Sequence, residues 1–257
     1  MHYSEREKVH LKKLYARLEE CTVLLKSNGD FPLSGPGRIA LYGNGGRHTV
    51  RGGTGSGEVY SRHAFSVEEG LKKTGFTVTT REWLDAYDEI RERARNAFII
   101  SVQKRAKEKH TLAVLEGMGA VMPEPEYLLP VEGDGDTALY ILSRICGEGN
   151  DREAVKGDIL LTDTEVRDIL RIREKYPKFM LVLNTGGPVD LTPVEAVENI
   201  LLLSQLGDLG GCLLGDILMG KKNPSGHLTT TWTSWKDRPC RMEFGDRMTQ
   251  VTPKESM

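Results

Sequence analysis

A chain of 257 residues with 39% apolar and 28% charged residues can bury a sizeable core, in one large α/β domain or two small ones. Lys+Arg 35 against Asp+Glu 37 leaves a net charge of −2, which gives no electrostatic case for a nucleic-acid partner. Cys21, Cys146, Cys212 and Cys240 are far apart and form no CxxC pair, the N-terminus MHYSEREKVHLKKL is too charged for a signal peptide, and no apolar run approaches a membrane span. These features argue against a disulfide framework, a cysteine metal site and a membrane anchor, and point to a cytoplasmic chain with reduced thiols.

Ser4 to Glu20 carries apolar residues at helical spacing, and Ser4 with Glu7 forms a capping box. Cys21–Leu25 reads as a short strand, stopped by the turn Ser27–Asp30 and by Pro32. Arg38–Tyr42 (RIALY) reads as a buried parallel strand. A glycine-rich segment from Gly43 to Glu58 follows. Ser66–Thr74 then predicts a capped helix and Phe76–Thr80 a strand, which together make a βαβ unit. Arg81 to about Val121 is mostly helical, with Trp83, Leu84, Tyr87 and Ile90 on one stripe, and Pro123, Pro125 and Pro130 turn it into an extended loop. The basic run Lys104–Lys109 contains a Glu and reads as a solvated helix face.

Thr137–Leu142 predicts the next buried strand, and Ser143, Arg144 and Gly147-Glu148-Gly149 stand where it should end. A helix opens at Thr162 with Glu165 as its capping partner. Phe179–Leu183 and Ile200–Leu203 are further strands, and Gly210–Met219 a helix packed closely through its glycines. The alternation of strand and helix predicts one α/β/α sandwich of three layers with a mostly parallel, Rossmann-like or flavodoxin-like sheet. Residues 1–22 form a lead-in helix, 23–245 the sandwich, and 246–257 a disordered or truncated tail.

In open α/β sheets, ligands bind outside the carboxyl ends of the strands. A carboxylate there between two glycines reaches a bound molecule without interference from neighbouring side chains, which singles out Glu148. The alternative is that Glu148 is a solvated turn residue. A phosphate loop is not supported, since Gly57 is followed by Glu58 and the Lys of GxxxxGK[ST] is missing; a dinucleotide fingerprint is not supported either, since no helix opens directly after Gly57. The glycines instead let the backbone approach something bulky and polar, with the hydroxyls of Thr54 and Ser56 as donors or acceptors. His48 and His63 have no carboxylate or Cys at metal spacing and read as surface or loop histidines. No GxSxG or HExxH occurs, and no metal or cofactor is expected.

Six segments in order, VLLKSNGDFPL, RGGTGSGEV, SRICGEGNDR, GDILLTDTE, VLNTGGPVDL and GKKNPSGHLTTTW, resemble the α/β sandwich domain of family 3 glycoside hydrolases, the β-glucosidases and β-xylosidases. The resemblance covers about Val23 to Gly245. It implies that Glu148 is the general acid/base of a retaining β-glycosidase and that Ser56, beside Thr54, contacts sugar hydroxyls. It also implies a β-glucoside or related substrate and a (β/α)8-type barrel domain, in cis or in trans, that supplies the nucleophilic Asp. Gly147, Gly149, Asp151 and Arg152 are expected to shape the loop, the last two through an ion pair. The barrel's motifs are not found in these 257 residues, so the chain is expected to be incomplete as a hydrolase by itself. The alternatives are a non-catalytic carbohydrate-binding or scaffold module of the same descent and a nucleotide-binding α/β protein.

Overall fold

The computed structural model of the chain describes residues 3–54, 59, 61–145 and 151–232. Helix α1 (Glu5–Tyr15) opens on the predicted capping box: the Ser4 hydroxyl accepts from the Glu7 amide while the Glu7 carboxylate accepts from the Ser4 amide. The helix stops at Tyr15, and a 3-10 turn over Leu18–Cys21 completes the stretch that the sequence reads as one helix.

Six strands form one sheet: β1 (Val23–Lys26), β2 (Arg38–Tyr42), β3 (Thr77–Val78), β4 (Thr137–Arg144), β5 (Lys178–Thr185) and β6 (Ile200–Leu202). Their order is β1-β6-β5-β4-β2-β3, with every pair parallel except β1 against β6 at the edge. All of β4 and all of β5 but Lys178 are buried. That burial is why these strands read as continuous apolar runs, not alternating ones.

The helices α2 (Val67–Lys73), α3 (Arg81–Glu108), α4 (Ala113–Gly117), α5 (Asp163–Lys175) and α6 (Gly210–Leu218) complete the domain. Right-handed crossovers put α2, which carries the chain from β2 outward to β3, on the face opposite α5, which carries it the other way from β4 to β5. Helix α6 packs against α2 through glycines. A Cβ on Gly70 would lie 1.9 Å from the Gly211 carbonyl oxygen, and one on Gly211 would lie 2.1 Å from that of Ser66. On the other face Trp83 of α3 stacks on Tyr87 at 5.5 Å between ring centres and meets Tyr42 of β2 edge-on at 5.4 Å.

Several further element boundaries differ from the sequence expectation. Strand β3 is only Thr77–Val78, because Thr80 turns inward: its hydroxyl accepts from the Leu41 amide (2.8 Å) and donates to the Leu41 carbonyl (2.6 Å), in place of strand pairing. Strands β4 and β5 run two residues past their apolar cores, since Ser143, Arg144, Asn184 and Thr185 find partners that let them be buried. Among the described residues no helix is long and apolar enough to cross a membrane. The predicted tail 246–257 lies outside the described residues.

Candidate active site

From β2 the chain moves to one side of the sheet and from β4 to the other, so the strand order reverses between these two neighbours. The segments that follow them part to opposite faces and leave a crevice at the carboxyl edge, the position where open α/β sheets bind ligands. A cavity of about 700 Å³ occupies this place. Asn44 follows β2 into it, Ser143 and Arg144 end β4 in it, and Phe98, Val121 and Met122 supply an apolar wall.

The floor is a polar network. Asn44 clasps the backbone of Ser143: its Oδ1 accepts from the Ser143 amide at 2.7 Å, and its Nδ2 donates to the Ser143 carbonyl at 3.2 Å. The same Nδ2 donates to Glu124 at 2.8 Å, and the Tyr87 hydroxyl donates to the other Glu124 oxygen at 2.5 Å. The Ser143 hydroxyl donates to Asn184 Oδ1 at 2.6 Å, and Asn184 bonds both the amide and the carbonyl of Val50. Four chain segments, with Tyr87 of α3 as a fifth partner, are thus tied together at Ser143, two residues before Ile145. Burial pushes the Glu124 carboxyl above the usual carboxylate range, against the lowering effect of its two donors.

The glycines that open the segment after β2 serve this close packing. Gly43 has φ +88°, and a Cβ there would lie 2.4 Å from the Ile141 carbonyl oxygen; one on Gly45 would lie 2.1 Å from the Ser143 hydroxyl. Gly43 approaches the backbone of β4 and Gly45 its side chains, where the sequence reading expects a bound molecule.

Arg144 is buried with Glu165 in a bidentate pair at 2.8 and 2.6 Å. Glu165 also closes the capping box of α5 by accepting from the Thr162 amide, so one carboxylate joins the end of β4 to the start of a helix. Arg152 donates to Asp158 at 2.5 Å and to the Pro188 carbonyl at 2.7 Å. The expected loop-shaping ion pair exists for Arg152, but its partner is Asp158. Asp151 is exposed and enters no ion pair among the described residues.

Of the candidate residues, Thr54, Asp151 and Arg152 line this one cavity. Glu148, Gly147, Gly149 and Ser56 lie outside the described residues, as does Glu58. Ile145 and Asp151, on either side of 146–150, both line the cavity, and Thr54 lies two residues before Ser56. His48 is not a plain surface histidine. It is half-buried and its Nε2 lies 2.7 Å from Asp88, while burial and the nearby Arg91 charge lower its pKa. Arg47 also bonds Asp88, along with Glu68 and Asp85, and so ties the segment after β2 to α2 and α3. No three His, Cys, Asp or Glu residues cluster as a metal site among the described residues. Asn44, Glu124, Ser143 and Asn184 were not singled out from the sequence; only the strand-end positions of the last two carry a local signal.

The model of the glycosyl hydrolase family 3 C-terminal domain matches residues 22–254. The chain belongs to glycosyl hydrolase family 3. This family 3 domain is 28% identical over 242 residues to β-glucosidase A of Butyrivibrio fibrisolvens, covering 84% of this chain and 28% of that protein. It is 25% identical over 232 residues to a β-glucosidase of Ruminococcus albus, covering 86% of this chain and 23% of that one. The solved structure of β-glucosidase 3B from Thermotoga neapolitana in complex with glucose superposes with a TM-score of 0.70 at 31% identity, covering 92% of this chain and 33% of that one. The chain therefore spans about a quarter to a third of the length of these three relatives.

Proposed function

We propose that this family 3 domain is the sugar-contacting and acid/base-supplying part of a retaining β-glucoside hydrolase, with Glu148 as the general acid/base. A (β/α)8-type barrel domain, in cis or in trans, supplies the nucleophilic Asp. The observation that carries this reading is the switch-point crevice in a family 3 fold, with Thr54 and the two residues flanking 146–150 in its lining.

The chemistry needs two carboxyls about 5–5.5 Å apart. The barrel's ionised Asp attacks the anomeric carbon while protonated Glu148 gives its proton to the departing glycosidic oxygen. Glu148, now ionised, then takes a proton from the water that hydrolyses the glycosyl-enzyme. Repulsion between the two carboxyls and loss of solvent raise the acid's pKa enough for it to hold that proton. Thr54 and Ser56 contribute hydroxyls to the sugar. Arg152, anchored on Asp158 and Pro188, fixes the far end of the acid-bearing segment.

The test joins or mixes this chain with the barrel domain of a family 3 β-glucosidase. Turnover of an aryl β-glucoside is expected only when both are present. Glu148→Ala then slows alkyl or sugar leaving groups about 10²–10⁴-fold more than activated aryl ones, since an activated group needs little protonation. Azide partly restores turnover of the activated substrate, because an anionic nucleophile needs no base. Equal losses on both substrate types without azide rescue would contradict the acid/base role. Sugar binding without turnover at any barrel concentration would leave a non-catalytic carbohydrate module.

A further inference from the structure

The crevice carries cationic groups that the fold leaves unused. On α3, Asp88, Arg91, Arg95 and Phe98 succeed one another at helical spacing on one face, and three of them, Arg91, Arg95 and Phe98, line the cavity. Asp88 is already shared between Arg47 and His48. Arg91 enters no hydrogen bond or ion pair among the described residues, and Arg95 has only a loose, exposed contact with Glu92 at 3.7 Å. Across the cavity, Arg152 uses Nε and Nη1 on Asp158 and Pro188, while its Nη2 is buried with no acceptor. A buried guanidinium donor without a partner is a cost that an incoming oxygen anion would remove. The other cations of the lining are spent. Arg144 is saturated by Glu165, and Lys156 is paired with Asp163. Of the lining carboxyls, Glu124 is biased by burial toward its uncharged form, Asp158 is paired with Arg152, and Asp151 and Glu153 are exposed to solvent that screens them.

We propose that the crevice takes an acidic saccharide, a sugar bearing a carboxylate or a phosphate, whose anionic oxygens are held by the guanidinium groups of Arg91 and Arg152. The inference rests on the reading of this crevice as a sugar site and adds the class of sugar. A neutral glucoside would leave Arg152 Nη2 unpaired and Arg91 to water, whereas an acidic one offers both charge-assisted hydrogen bonds.

The experiment is a calorimetric titration of the 257-residue chain with D-glucuronate, glucose 6-phosphate, glucose and inorganic phosphate at one ionic strength. At least one acidic sugar is expected to bind about tenfold more tightly than glucose, the size of a charge-assisted hydrogen bond. Arg91→Gln should abolish that preference, and Arg91→Lys should keep part of it, since the charge remains without the fork. Which acidic sugar is preferred identifies the anion. Glucose binding as tightly as both acidic sugars would overturn the inference and leave the sugar site standing. Inorganic phosphate binding as tightly as glucose 6-phosphate would overturn it together with the sugar reading, as would no binding of any sugar. A preference that survives Arg91→Gln would overturn the assignment to this guanidinium.

Discussion

Two cavities of this domain differ in size and in what builds them. The larger, about 1050 Å³, lies where α1 meets α6 and is lined by Glu7, His10 and Tyr15 on one side and Cys212 and Asp216 on the other. The smaller, about 700 Å³, lies at the switch point of the sheet. One wall of the larger is a helix with no buried residue, held on by the Tyr15 hydroxyl donating to Asp216 at 2.5 Å and by the Glu7–Arg62 ion pair at 2.9 Å. The floor of the smaller is made of strand ends whose polar groups are bonded across four segments. Volume alone would select the α1–α6 cavity, whereas the proposed function rests on the smaller one. A site for chemistry needs groups held in fixed geometry, and the topology of a doubly wound sheet supplies that geometry at one edge between β2 and β4.

The largest expected effect sharpens this contrast. Arg144→Ala strands Glu165 as a buried, unpaired carboxylate and should lower stability by about 3–5 kcal/mol in urea denaturation. Tyr15→Phe, at the larger cavity, should cost about 1 kcal/mol, because the freed Asp216 is reached by water. Comparable losses would mean that the two regions are equally integral to the fold.

Asn44→Ala comes next. It removes the acceptor for the Ser143 amide and one donor to Glu124, for an expected loss of about 1–3 kcal/mol. Amide exchange should then speed at Ser143 and Ile145, with α1 unaffected. Uniform acceleration across the chain would show that Asn44 supports the whole fold and not the strand end.

A smaller, pH-dependent effect isolates Glu124. Burial raises its folded pKa above the ordinary carboxylate value, so the folded chain holds this proton more tightly than the unfolded one. Its contribution to stability is complete below the unfolded value and is lost as pH rises through the folded value. Glu124→Gln cannot ionise, so the stability of the wild type relative to this variant should fall as pH rises from about 4 toward 7. A difference that stays flat, or grows with pH, would mean the two donors outweigh burial.

Much of the fold is legible in the sequence because its signals are local. The capping boxes Ser4/Glu7, Ser66/Glu69 and Thr162/Glu165 each lie within four residues and mark the helix starts where the structure has them. The apolar runs of β2, β4 and β5 stand out because both faces of those strands are covered. The site is legible only in part. Thr54 and Arg152 stand next to glycine-rich motifs and both line the crevice. The residues that brace it are joined over long separations, Asn44 to Glu124 and to Ser143, and Arg144 to Glu165, which no local pattern records. Asp88 as the partner of His48 is hidden for the same reason, whereas Asp158 lies only six residues from Arg152 and is set as its partner by the turn between them.

The most direct test of the account maps the sugar on the chain itself. Backbone amide shifts of the 257-residue protein are followed during titration with methyl β-D-glucoside. The account predicts that the shifts concentrate at Asn44, Val50, Thr54, Ser143, Ile145 and Arg152, around the switch-point crevice, and leave Tyr15, Cys212 and Asp216 unmoved. Shifts centred on the α1–α6 cavity, with the ends of β2 and β4 silent, would contradict it.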